Sequence, residues 1–142
     1  MRRARLARAA SRAILSAAPN NVAVKPLLPK PLLRIEGLTV LMGACLLYRA
    51  LHGSWLMFAV LFLTPDLFML GYLFGVRVGA WVYNLVHTYT APLALGFVAY
   101  FTPIPSLLAI CLIWTAHIGF DRFLGYGLKY ETGFKDTHLG KV

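Results

Sequence analysis

Asp66, His87, His117 and Asp121 are the residues of this chain whose types could do chemistry together. His117 and Asp121 are four apart, so on a helix both project from one face, a single turn from each other. Imidazole nitrogens and carboxylate oxygens make an N/O metal site, which His87 and Asp66 would complete. Asp136 and His138, in the motif KDTH near the carboxyl end, could fold back and add ligands. A divalent metal held there would lower the pKa of a bound water toward neutrality, the chemistry of a metal-dependent hydrolase. The same residue types serve two other ends. Acids and imidazoles inside a bundle can relay protons in a small transporter. They can also hydrogen-bond across helices and do no more than fix the packing of a structural or interaction protein. The spacing H-x-x-x-D does not choose among these.

The elements that must position these groups are apolar. Of the 142 residues, 59% are hydrophobic and 13% are charged, against roughly 25% charged in an ordinary soluble domain. One domain of this size exposes much of its surface and could not cover it with so few charges, whereas a bilayer favours an apolar exterior. The expected fold is therefore all-α, a polytopic bundle of four transmembrane helices. Crossing the hydrocarbon takes about 20 apolar residues. Residues 33–51 make the first span, and residues 54–74, interrupted by Pro65 and Asp66, the second. From Val78 to Phe120 there is no Asp, Glu, Lys or Arg. That stretch is too long for one crossing, and the turn-forming FTPIPS at 101–106 divides it into spans at 78–100 and 105–125.

Charge sets the orientation. Arg77, and the segment from Arg122 to Lys141, fall on the same side as the basic amino-terminal run, while Arg49 and His52 fall on the other. The positive-inside tendency then puts both termini in the cytoplasm. At about 1.5 Å of rise per residue, Asp66, His87 and His117 all lie about 12–13 Å from the cytoplasmic ends of three different helices. Asp121 is one turn shallower, and Glu36 enters the first helix at a similar shallow depth. Within the helices, Asn84, His87, Thr88 and Ala91 form a polar and small stripe. Glu36, Thr39, Val40 and Gly43 form another, of the kind that lets helices approach closely. A polar-packing reading pairs Asp66 with His87, and Asp121 with Arg122 or Arg77. Pro65 frees the carbonyl of Leu61, exposing polar backbone one turn from Asp66.

Residues 1–31 are a separate extension. MRRARLARAASRAILSAA lacks acids and reads as a weakly amphipathic cationic helix resting on a membrane surface. It also has the composition of a mitochondrial transit peptide, which makes the mitochondrial inner membrane the alternative location. PNNVAVKPLLPKP follows as a helix-breaking linker. The net charge of +9 is concentrated here. Its expected partner is the bilayer with its anionic headgroups rather than nucleic acid, since no soluble binding module follows. Cys45 and Cys111 lie in apolar stretches with no framework of partners, so neither disulfides nor a zinc ribbon is indicated. Trp55, Trp81, Tyr83 and Tyr100 sit near span ends, where an aromatic belt expects them, and Trp114 lies deeper. GYGLKYETGFKD lacks the spacing of a phosphate-binding loop and has no strand before it. Residues 129–142 read as a polar, mostly non-helical cytoplasmic tail.

LRIEGLTVL (33–41), PDLFMLGY (65–72), GVRVGAWVYNLVHTY (75–89), HIGFDRFLGYGLKY (117–130) and GFKDTHLG (133–140) together resemble the domain of unknown function 4260 family. The resemblance covers almost all of residues 32–142 and leaves out the basic extension. It implies a small, membrane-embedded protein, mostly of bacterial kind, and hence a bacterial plasma membrane. It carries over no catalytic or ligand residue.

Overall fold

The computed structural model describes residues 29–141. The cationic surface helix expected at the amino terminus, and most of the linker after it, lie outside the described residues. Helix α1 runs Pro29–Ala50, four residues earlier than expected. Pro29 and Pro31 occupy its first turn, where a missing N–H costs nothing. The end of the linker therefore starts a helix instead of breaking one.

Helix α2, Trp55–Phe62, is capped by the Ser54 hydroxyl, which accepts from the Met57 N–H at 3.4 Å. A 3-10 segment, Thr64–Phe74, continues it with Pro65 in the opening turn. The carbonyl of Leu61 near that proline is not left exposed, because the Thr64 hydroxyl donates to it at 2.7 Å. Runs of 3-10 helix this long are uncommon, and their period is three rather than 3.6. The sequence has that period: Leu67, Leu70 and Leu73 are 62%, 60% and 80% exposed, while Asp66, Met69 and Tyr72 form the half-buried row. Asp66 faces inward because every third residue does.

The expected third span, 78–100, is instead two helices, α3 Val76–Val86 and α4 Thr90–Phe101. The break falls at His87–Tyr89. Pro92 explains it: its ring clashes with the carbonyl four residues back, and it is accommodated in the first turn of a new helix. Broken helices need their carbonyls satisfied, and α5, Pro105–Leu124, supplies the donors. Trp114 Nε1 donates to the Val86 carbonyl at 2.7 Å, and Arg122 Nη2 to the His87 carbonyl at 3.0 Å. Gly125, at φ 94°, ends α5 in the left-handed conformation that glycine adopts without penalty.

The described residues are thus all-helical. One isolated bridge, Lys129 with Thr137, ties the tail to itself. Three stretches, Pro29–Ala50, Trp55–Phe74 and Pro105–Leu124, are long and apolar enough to cross a membrane. Helix α5 is central, packing against α1, α2 and α4, while the 3-10 segment packs chiefly on α3. The small-residue face of α1 is not the expected one. Its buried positions are Gly37, Ala44 and Tyr48, and a side chain added at Gly43 would meet nothing within 4 Å. Gly37 instead crosses Gly119 of α5, where a Cβ on either would strike the other helix's backbone at 2.7–2.9 Å. At the far end Tyr48 is wholly buried against Ala109 and Ile113, and its hydroxyl donates to the Ser54 carbonyl at 2.7 Å.

Candidate metal centre

Three elements bring the cluster together. Asp66 comes from the 3-10 segment, His87 from the broken end of α3, and His117 and Asp121 from α5. The two imidazoles meet through Nε2, 3.2 Å apart. Asp66 Oδ1 lies 3.7 Å from each of those nitrogens. Asp121 Oδ2 lies 3.7 Å from His87 Nε2 and 3.9 Å from His117 Nε2. Asp66, His87 and His117 each offer a ligand atom within 4.8 Å of the others. The four side chains thus converge directly on one another.

One hydrogen bond fixes the tautomer of His87. His87 Nδ1 lies 2.9 Å from the Tyr83 carbonyl. A carbonyl can only accept, so Nδ1 carries the proton and the neutral ring turns the Nε2 lone pair toward the cluster. Metal-binding histidines are held in this way, by a carbonyl on the nitrogen away from the ion. His117 Nδ1 has no hydrogen-bond partner among the described residues. The His87 Nε2 lone pair, His117 Nε2 and two carboxylates therefore face one another, an arrangement that a cation or shared protons between them would satisfy. Two ligand atoms on one tetrahedral zinc stand about 3.3 Å apart, given metal–ligand bonds of about 2.0–2.1 Å. The observed spacings match that or exceed it slightly.

Tyr83 is the residue that sequence reasoning misplaced. It was expected in an aromatic belt, yet it is 3% exposed, whereas Trp55, Trp81 and Tyr100 are 54–83% exposed as a belt would have them. Its ring stacks on His87 at 3.6 Å between centroids, and its hydroxyl donates to Asp121 Oδ2 at 3.0 Å. Tyr83 thereby supports one imidazole twice, by stacking and through its carbonyl, and one carboxylate once. The available signal was its position four residues before His87, on the same face as Ala80. Asp121 pairs with this hydroxyl, not with Arg122 or Arg77 as the packing reading had it. Arg77 Nε donates to Glu131 instead, at 2.8 Å.

The other candidates lie elsewhere. Asp136 Oδ2 accepts from the Thr132 hydroxyl at 2.6 Å, and His138 Nδ1 accepts from the Leu128 N–H at 2.8 Å. Both brace the tail. Glu36 is exposed on α1. The tail itself is folded over α3: the Asn84 amide donates to the Lys129 carbonyl at 2.8 Å and accepts from the Lys129 N–H at 2.7 Å. Glu131 also accepts from Trp81 Nε1 at 2.8 Å. The Arg77 and Trp81 donors hold the Glu131 carboxyl below its ordinary range. Burial pushes the Lys129 ammonium below its usual value.

Comparison with curated proteins and with solved structures finds no match to the chain. Residues 30–142 match the family described as Domain of unknown function (DUF4260). That span takes in all but the first residue of the described helices and all four residues of the cluster, and on it the chain belongs to the DUF4260 family.

Proposed function

We propose that this is a multi-pass membrane protein of the bacterial plasma membrane, with both ends cytoplasmic, carrying a metal-dependent hydrolytic site in its inner half. The three long apolar helices support insertion, and α3 with α4 would make the fourth crossing as a broken pair. The orientation is supported by charge. Arg34 donates to the Leu124 carbonyl and Arg77 to Glu131, so the cations of α1, α3, α5 and the tail gather at one end.

The observation that carries the hydrolytic reading is the pair of buried Nε2 atoms 3.2 Å apart, one locked as a lone-pair donor by the Tyr83 carbonyl, with Asp66 Oδ1 equidistant from both. Asp66, His87 and His117 are the proposed ligands. Asp121 is the fourth ligand, or the base that takes a proton from the attacking water. A first-row divalent ion suits this N/O set, and it would supply a water that ionises near neutral pH. A packing-only role for the same groups draws on the Tyr83–Asp121 bond and on His117 donating to His87. Elemental analysis of detergent-purified protein separates the two. The hydrolytic reading expects close to one divalent ion per chain, lost in His117→Ala. A metal-free protein whose Asp66→Asn and His87→Ala variants are merely less stable would leave packing as the role.

A further inference from the structure

A cavity of about 330 Å³ opens beside the cluster. Asp66, His117 and Asp121 stand on its wall, while His87 is fully buried. Most of the remaining wall is hydrocarbon or aromatic, including Leu63, Met69, Phe120 and Leu124. Its rim is the exposed apolar face of the molecule. On its wall Leu63 and Leu124 are exposed, as are Tyr126 and Phe134 of the tail, and Leu67, Leu70 and Leu73 are exposed further along the 3-10 segment. The 3-10 segment packs chiefly on α3, and the cavity is lined from both that segment and α5. A ligand would therefore enter sideways from the hydrocarbon.

One cation lies on the wall. Lys129 donates to the Phe134 carbonyl at 2.8 Å and sits over the rings of Phe134 and Tyr83, at 4.1 and 5.1 Å from their centroids. An ammonium has three donors, so one bond to a carbonyl leaves capacity for an anion. Asp66 and Asp121 would balance the charge of a divalent ion held at the cluster, leaving Lys129 on the same wall free to meet an anion. The ligand that fits has a hydrocarbon chain, a negative charge and a hydrolysable bond, all close together. A fatty acid lacks the bond and a neutral ester lacks the charge. A phosphate ester on a hydrocarbon chain combines all three in one group.

We propose that this cavity takes the phosphate end of a membrane amphiphile, with the chain along the Leu63–Leu124 wall and the anion at Lys129. The chemistry rests on the hydrolytic reading above, but binding is separately measurable. The full chain in dodecyl maltoside, supplied with zinc, is titrated with dioctanoyl phosphatidic acid, dioctanoylglycerol and inorganic phosphate. Phosphatidic acid is expected to bind at least about tenfold more tightly than either of the others. Lys129→Met should erase that preference. It leaves the Asn84 clasp in place, because the clasp uses only backbone atoms of residue 129. Leu63→Trp, at an exposed position, should weaken both chain-bearing ligands and leave zinc content unchanged. Equal binding of dioctanoylglycerol, equal binding of inorganic phosphate, or an unaltered preference in Lys129→Met overturns the proposal. Zinc uptake without any lipid preference overturns it while sparing the metal reading. A Lys129-dependent preference in protein that takes up no zinc supports the lipid site and discards the hydrolase.

Discussion

Tyr83 shows how much of the site depends on residues that are neither acids nor bases. Its hydroxyl is the one side-chain donor bonded to Asp121 among the described residues, and its ring covers His87. Tyr83→Phe keeps the stacked ring and removes only the hydroxyl. Loss of such a supporting bond at a metal site weakens metal binding by roughly 10- to 100-fold, and that is the expected fall in zinc affinity by competition with a chelator. An unchanged affinity would show that the Tyr83–Asp121 bond has no bearing on the cluster. The convergence of Asp66, His87, His117 and Asp121 was legible from residue type and helix rise, which set these few ionisable groups at similar heights along apolar elements. Tyr83 was not, since tyrosine near a span end fits an interfacial position equally well. Asp136 and His138 were candidates by type alone, and nothing in their spacing tied them to the helices.

The crossing of α1 and α5 tests the packing of whole elements. Gly37 leaves no room for a side chain, and Gly43, less than two turns along the same helix, leaves plenty. Gly37→Leu should cost about 1–3 kcal/mol or more through overpacking, seen as a lower midpoint of denaturant unfolding in micelles. Gly43→Ala should be neutral or add up to about 1 kcal/mol of stability from helix propensity alone, seen as an unchanged or higher midpoint. The reverse order would place the crossing on the face that holds Thr39 and Val40. Which glycine faces α5 is settled by Ala44 and Tyr48 further along α1, whose burial the sequence does not announce. The two breaks follow a similar logic. The 3-10 segment could be read from leucines repeating every third residue after Pro65, and the α3–α4 break from Pro92. A count of apolar residues overlooks both, since hydropathy is blind to period and to a missing N–H.

At the scale of the molecule, the tail closes over α3 through Asn84, Arg77 and Trp81. Asn84→Ala would leave the Lys129 N–H and carbonyl without their side-chain partners, at a cost of about 1–3 kcal/mol. Faster hydrogen exchange at the Lys129 amide is the expected sign, and unchanged exchange would show that other contacts hold the tail. His138 adds a dependence on pH. Burial first, and the nearby Arg122 charge second, push its imidazole below the usual value. Its Nδ1 must be unprotonated to accept from the Leu128 N–H. A folded-state pKa below the unfolded one means the contribution is complete above about pH 6.5, the unfolded value, and is lost as pH falls below it. Exchange at the Leu128 amide, corrected for its intrinsic rate, should therefore rise below about pH 6.5, and His138→Phe should remove that rise.

The account stands on a single ion held by two imidazoles and carboxylate oxygen. X-ray absorption at the edge of the bound metal reads that shell directly. The expected spectrum has imidazole scattering from two rings, nitrogen and oxygen neighbours at about 2.0–2.2 Å, and one ring fewer in His87→Ala. A shell of sulfur, or one without imidazole, would contradict it.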